Sequence, residues 1–107
     1  MAESIPAPSV AGSVVLDVGA DIGALVLHTP ASLDGCEIEI SPVGIEVAHR
    51  THSQVRERRI GPRVQYAAVY PGVPAGHYTL WRDATTPAGT VTISGGEVTE
   101  CQWPESP

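Results

Sequence analysis

The sequence YPGVPAGHYTLW at residues 70–81, followed by GTVTISGGEVTECQW at residues 89–103, decides the fold of this chain. In both segments, short runs of β-branched and aromatic residues alternate with Pro and Gly about every ten residues, which is the spacing of short strands joined by tight turns. The two segments therefore predict antiparallel β structure for the C-terminal third of the chain.

Similar runs occur in the rest of the sequence. Predicted strands, each bounded by turn-forming residues, lie at residues 14–18, 24–28, 36–40, 64–70, 77–82, 90–94 and 97–103. Gly95 and Gly96 separate the last two strands and predict a two-residue hairpin turn. Helix is disfavoured, because Gly and Pro interrupt most of the chain and each Pro inside a helix costs about 3 kcal/mol.

The segment from Ile45 to Ile60 is ambiguous, since it contains neither Gly nor Pro. Residues 54–59 could form a helical turn, whereas alternation along the same residues favours a strand with Arg56 and Arg58 on one face. With this segment counted as a strand, we expect an all-β chain that forms an antiparallel, prealbumin-like β-sandwich of about seven to eight strands.

Alternation also predicts which side chains face the core. Tyr66 and Tyr70 would share one face of their strand, and Tyr78 and Leu80 would point inward from the next strand. Trp81 would then lie on the opposite, outer face. Because the chain has no Phe, its few large rings are expected to be used mainly for packing.

The chain has 107 residues, which fits one domain with a single core. Residues 1–12 and 104–107 lack hydrophobic periodicity, so we predict mobile tails on either side of one sandwich domain at residues 13–103. The first residues have neither the basic start nor the apolar run of a signal peptide, and no apolar segment is long enough to span a membrane. We therefore expect a cytoplasmic protein.

The charge of the chain is unevenly distributed. The formal net charge is −6 and Lys is absent, which argues against a general affinity for nucleic-acid phosphate. Five of the six Arg residues nevertheless lie between Arg50 and Arg63. This segment is therefore the candidate for a positively charged binding site.

The two cysteines, Cys36 and Cys101, are expected to be buried thiols in a reducing compartment, with Cys36 on the inward side of its strand. A disulfide between them stays open as an alternative, because the sequence does not say whether the two sulfurs meet. Neither has a second Cys or a His nearby at ligand spacing, so they predict no metal site.

The segments VPAGHYTL at residues 73–80 and TVTISGGEVT at residues 90–99 resemble the prealbumin-like domains, which include transthyretin-like modules and carboxypeptidase regulatory-like domains. The resemblance implies a sandwich in which Tyr78 enters the core and a Gly-Gly hairpin closes the fold. Since domains of this group are often passive modules, it implies a fold and no particular chemistry.

The whole chain is also similar to a group of small proteins from high-GC actinobacteria. The shared segments read VLDVG at residues 15–19, EIEISP at residues 37–42, HSQVRER at residues 52–58 and PAGHYTLW at residues 74–81. This second resemblance supports the boundaries of the domain and implies no activity.

The candidate ligand-binding residues are basic and lie close together in the sequence: His49, Arg50, His52, Arg56, Arg58 and Arg59. Arg side chains bind carboxylates and phosphates through paired hydrogen bonds, and His adds positive charge below about pH 6.5. Such a segment would recognise an acidic partner. The alternative is a solvated edge strand whose charges keep it from pairing with other chains.

A metal site is a weaker hypothesis. His49 and His52 would point to opposite sides of a strand, so a site would need His28 or His77 as a further ligand. No Cys or carboxylate at a recognised ligand spacing supports this arrangement, and we expect neither a metal nor another cofactor.

The aromatic residues suggest two further hypotheses. Tyr66 and Tyr70, together with histidines, match the iron ligands of intradiol dioxygenases in residue type only. An exposed Trp81 or Trp103 could stack on a sugar ring, although packing is favoured for both.

These features predict a small, non-catalytic binding or interaction module whose partner is an unknown protein or an acidic ligand. One alternative is a metal-binding protein or an enzyme that uses His and Tyr residues on a transthyretin-like scaffold. Another is a structural domain that forms a homodimer through its edge strands. We expect no catalytic residues and no nucleic-acid or membrane partner.

Overall fold

The computed structural model describes residues 18–44 and 50–104, which form eight strands and one turn of 3-10 helix at Ala31–Leu33. The strands in chain order are β1 (Ile22–Thr29), β2 (Glu37–Pro42), β3 (Thr51–Gln54), β4 (Arg56–Ile60), β5 (Arg63–Pro74), β6 (Gly76–Trp81), β7 (Pro87–Ile93) and β8 (Val98–Gln102). The first sheet has the order β4-β5-β1-β8, and the second sheet has the order β3-β2-β6-β7. The predicted all-β sandwich is confirmed.

Some predictions fall outside the described residues. These are the N-terminal tail at residues 1–12, the strand at residues 14–18 apart from Val18, and the C-terminal tail apart from Pro104. Within residues 18–44 and 50–104, no helix has the length and apolar character needed to cross a bilayer.

The core lies between the two sheets. Its buried inward side chains are Leu25, Leu27, Ala68 and Tyr70 from the first sheet and Ile38, Ile40, Tyr78, Leu80 and Ile93 from the second, and Tyr66 packs against them. The predicted inward positions of the tyrosines and of Leu80 are therefore confirmed. The Tyr70 hydroxyl links the two sheets, because it donates a hydrogen bond of 2.7 Å to the backbone oxygen of Ile38.

The hairpin predicted at Gly95 and Gly96 is wrong, although both glycines lie in a turn. Strand β7 belongs to the second sheet and β8 to the first, so this turn carries the chain from one sheet to the other. Strand β8 then pairs in parallel with β1, whereas the other pairings are antiparallel. Gly96, at a φ of 77°, donates its N–H to the oxygen of Ile22 at 2.9 Å, which fixes the turn against β1.

The ambiguous segment changes sheets at Val55. Within its described part, residues 50–60, the helical alternative is wrong: β3 belongs to the second sheet and β4 to the first. Val55 is fully buried between them, and its backbone bonds to Gly35 and Cys36 at 2.9 and 2.8 Å. Residues that are neighbours in the sequence on either side of Val55 therefore lie on different sheets.

The cysteines differ from the prediction in one respect. Cys36 is exposed, because it lies in the turn before β2, where its N–H bonds to the oxygen of Leu33 at 2.9 Å, and the alternation of the strand does not extend to it. Cys101 is half-buried on the inner side of β8, and burial raises the pKa of its thiol. Both are free thiols.

Tyr70 is expected to ionise only when the fold opens. Burial raises the pKa of its hydroxyl above the usual value of about 10, and the charge of Glu39 raises it further. Because the unfolded chain loses this proton at lower pH than the folded chain, the free energy of unfolding should hold below about pH 10 and fall as the pH rises above it.

A pH titration followed by phenolate absorbance and circular dichroism tests this expectation. The ionisation of Tyr70 should coincide with the loss of the fold, and the Tyr70→Phe variant should lack the contribution of Tyr70 to that step, whereas Tyr78, whose pKa burial also raises, still contributes. A phenolate of Tyr70 in the folded protein would contradict the prediction.

Candidate functional site

Those of the six predicted basic residues that the structure describes do not form one surface. His49 lies outside the described residues. In the strand register, His52 lies opposite Glu39 on the outer face of the second sheet. Arg56 lies opposite Ala67 on the outer face of the first sheet. The change of sheet at Val55 separates the two groups, so the expectation of a single basic strip is wrong for the described residues.

The arginines of β4 are also dispersed among themselves. Arg56 and Arg58 lie on the outer face of the first sheet, where Arg58 is only 8% exposed. This burial lowers the pKa of Arg58, and the positive charge of Arg56 lowers it further. Arg59 points to the other side and pairs with Glu57 at 3.2 Å. A cleft beside β4 contains Arg56 and Arg58, but it also contains the carboxylates of Asp34 and Glu57. Positive charge does not dominate there.

Arg50 is held in a well-defined site on the outer face of the second sheet. Its guanidinium carbon lies 3.8 Å from the ring centroid of Trp81. One terminal nitrogen donates to Glu39 Oε1 at 2.9 Å, and the other donates to the backbone oxygen of Ala84 at 2.9 Å. We call the indole ring of Trp81, the Glu39 carboxylate and the Ala84 carbonyl the guanidinium site.

Strand pairing explains why two parts of this site meet. Glu39 of β2 and Trp81 of β6 are direct partners in the register of the second sheet. Since Ile40 and Leu80 point into the core, their neighbours Glu39 and Trp81 both point outward. The indole N–H of Trp81 donates to Ser41 Oγ at 2.9 Å, which fixes the orientation of the ring.

The loop between β6 and β7 supplies the third part. Asp83 accepts hydrogen bonds from the backbone N–H groups of Thr85 and Thr86 at 2.9 and 2.8 Å, and Arg82 N–H bonds to the oxygen of Thr86 at 2.8 Å. These bonds close the loop into a compact turn that presents the Ala84 oxygen to Arg50. The hydrogen bonds from Thr85 and Thr86 also lower the pKa of Asp83, so its carboxylate stays ionised at neutral pH.

A cleft of about 230 Å³ adjoins the guanidinium site, and we call it the Trp81 cleft. It is lined by Glu37, Glu39, Trp81, Arg82, Asp83 and Ala84. The lining therefore contains three carboxylates, one of which is paired with Arg50, and one guanidinium, that of Arg82, whose carbon lies 5.5 Å from the Trp103 ring centroid. The cleft combines negative charge with an aromatic wall, which is the environment that organic cations prefer.

The contacts of Arg50 are only partly shielded from water. The side chains of Arg50 and Glu39 are 28% and 45% exposed. At such exposure an ion pair contributes less than about 1 kcal/mol, and a guanidinium over an indole ring contributes about 0.5 to 2 kcal/mol. The guanidinium site therefore binds Arg50 strongly enough to position it and weakly enough for another guanidinium to replace it.

The described residues that the metal and iron hypotheses require do not lie together in the fold. Among residues 18–44 and 50–104, no group of three or more His, Cys, Asp and Glu side chains could hold a metal ion. His28 pairs with Glu100 at 2.8 Å on the outer face of the first sheet, far from His52 on the second. Tyr70 points into the core and His52 points outward, so they do not converge on one ion.

The two tryptophans have different environments. Trp103 packs against the core, as expected. Trp81 is half-buried, with Arg50 on one face of its ring. Alternation correctly predicts Trp81 on the outer face, but no local pattern indicates that Glu39, Ala84 and Arg50 meet there.

The chain was compared with known proteins. No family model, no curated protein and no solved structure matches it. The resemblance to prealbumin-like domains and to small actinobacterial proteins stays a prediction from the motifs.

Proposed function

We propose that this chain is a non-catalytic binding module that holds a positively charged side chain of a partner protein in the Trp81 cleft. The observation that carries this proposal is the guanidinium of Arg50, which the neighbouring ring, carboxylate and carbonyl already hold. The carboxylates of Glu37 and Asp83 extend the same chemistry beyond Arg50. The net charge of −6 would speed the approach of a basic partner.

An acidic partner fits this surface poorly. It would face Glu37, Glu39 and Asp83 in the cleft, with Arg82 as the favourable contact. The acidic-partner hypothesis required the basic residues to act together, and the fold divides them between two sheets. It stays a prediction for the outer face that carries Arg56 and Arg58. A cytoplasmic location also stays a prediction from the sequence.

Titration with two matched peptides tests the proposed function. We expect a peptide with alternating Arg and Gly to bind the folded protein weakly, and a peptide with Glu in place of Arg not to bind. The affinity should fall as salt is added, because the attraction is between partly exposed charges. Tryptophan fluorescence and calorimetry would both report the binding.

A matched pair of variants assigns the binding to the cleft. Glu37 lies in the cleft and pairs with His52, whereas Glu100 lies on the other sheet and pairs with His28; their side chains are 62% and 64% exposed. Glu37→Gln should weaken basic-peptide binding about twofold to fivefold, as for a lost exposed charge pair, and Glu100→Gln should leave it unchanged.

Two results would overturn the proposal. One is the absence of basic-peptide binding at millimolar concentration. The other is binding of the acidic peptide that Arg56→Ala abolishes, which would support the acidic-partner hypothesis instead.

A further inference from the structure

We infer that Arg50 is a built-in competitor: it occupies the guanidinium site and must leave before an arginine of a partner can enter. This inference rests on the proposed function and names the ligand as a guanidinium group. It also predicts that removing Arg50 strengthens the binding of a guanidinium ligand by more than the change in net charge explains.

The geometry of the site selects a guanidinium over an ammonium. The guanidinium carbon of Arg50 lies over the Trp81 ring, 3.8 Å from its centroid, while the two terminal nitrogens reach acceptors on different elements, Glu39 of β2 and Ala84 of the β6–β7 loop. A planar group with donors in a fixed fork can satisfy the ring and both oxygens together. The ammonium of Lys has neither the flat face nor the fork.

The site is built without the help of Arg50. Trp81 is oriented by Ser41, and Glu39 is placed by the pairing of β2 with β6. The loop that carries Ala84 is closed by the hydrogen bonds of Asp83. Each contact of Arg50 therefore adds to a framework that other bonds already hold, and the framework should persist when Arg50 leaves.

Arg50 is placed so that it can leave. Arg50 comes directly before β3, which is the outermost strand on its side of the second sheet among the described strands, and Arg50 itself lies outside β3. Its side chain and that of Glu39 are both partly exposed, so the site opens to solvent. A ligand on the same chain competes at an effective concentration of about millimolar or more. An outside ligand can bind only while the site is vacant, so its apparent dissociation constant equals the intrinsic constant divided by the vacant fraction of the site.

The test compares the intact chain with Arg50→Ala, using acetyl-Gly-Arg-Gly-amide and its Lys counterpart as ligands. We expect the dissociation constant of the Arg peptide to fall about tenfold or more in Arg50→Ala, with a much smaller change for the Lys peptide. Adding Trp81→Leu to Arg50→Ala should remove the gain. Arg50→Gln provides a second variant if Arg50→Ala does not fold.

Arg56→Ala is the matched control, because it makes the same change in net charge on the outer face of the other sheet. It should leave the affinity for the Arg peptide nearly unchanged. An equal gain in Arg56→Ala would show that the effect is only electrostatic and would overturn the inference.

The failures of the inference and of the proposed function can be distinguished. If the intact chain binds the Arg peptide and Arg50→Ala binds it no better, the inference is wrong and the proposed function stands. If neither protein binds it, both are wrong. Tighter binding in Arg50→Ala alone, lost again with Trp81→Leu, supports the inference.

Discussion

Replacing Gly95 with alanine is expected to destabilise the fold by about 3 kcal/mol or more, which is a large part of the stability of a domain of this size. A Cβ atom on Gly95 would overlap the carbonyl group of Ala20 and would crowd the Cα of Asp21. All of these are backbone atoms, so no side-chain rotation relieves the overlap. The turn between the sheets would have to move away from the beginning of β1.

Urea unfolding of Gly95→Ala measures this effect, and Gly19→Ala is its control. A Cβ on Gly19, which lies close by in the sequence before β1, meets no atom within 4 Å. Gly19→Ala should therefore unfold at nearly the same urea concentration as the parent chain. A Gly95→Ala variant of unchanged stability would show that this turn does not pack against the residues just before β1 as described.

The second large effect is expected for Leu80→Ala. Leu80 is fully buried in β6, where it lies opposite Ile40 in the second sheet and contributes to the shared core. Removing its three outer carbons leaves a cavity that the two sheets cannot close, which costs about 3 to 5 kcal/mol. The adjacent Trp81 should also lose its fixed position, so binding should weaken together with stability.

Val98→Ala on β8 is the control for Leu80→Ala, because Val98 is 43% exposed. Its free energy of unfolding should change by less than about 1 kcal/mol. A loss of similar size in both variants would mean that the core does not lie between the sheets.

The sequence predicts well whatever depends on local alternation. The inward positions of Tyr70, Tyr78 and Leu80 follow from a side-chain period of two residues, which a strand keeps whatever its partners are. The outward position of Trp81 follows for the same reason. The prediction that Cys36 points inward is wrong because Cys36 lies just before β2, where the two-residue alternation has not yet begun.

The sequence predicts poorly whatever depends on which strands are neighbours. Gly95 and Gly96 have the composition of a hairpin turn. The strand β8 nevertheless pairs with β1, because a hydrogen bond from Gly96 to Ile22 holds the turn at the beginning of β1. Val55 looks like one more residue of a strand, yet the chain changes sheets there. Both errors concern contacts between distant parts of the chain, which local patterns do not encode.

The predicted basic residues are divided between two sheets for the same reason. The basic residues between Arg50 and Arg59 are close in sequence, but Val55 sends Arg56 to the opposite outer face. The residues that contact Arg50 come from β2, about ten residues before it, and from the end of β6 and the β6–β7 loop, about thirty residues after it. Their meeting depends on the register of β2 with β6, which alternation alone does not determine.

The most direct test of the account is a residue-by-residue NMR titration of the intact chain with the Arg peptide. The indole N–H of Trp81 and the amides of Glu37, Glu39 and Asp83 should shift together with one dissociation constant, while the amide of Arg56 stays in place. Shifts confined to the outer face of the first sheet, or none at millimolar peptide, would contradict the claim that the Trp81 cleft binds a partner's positive charge.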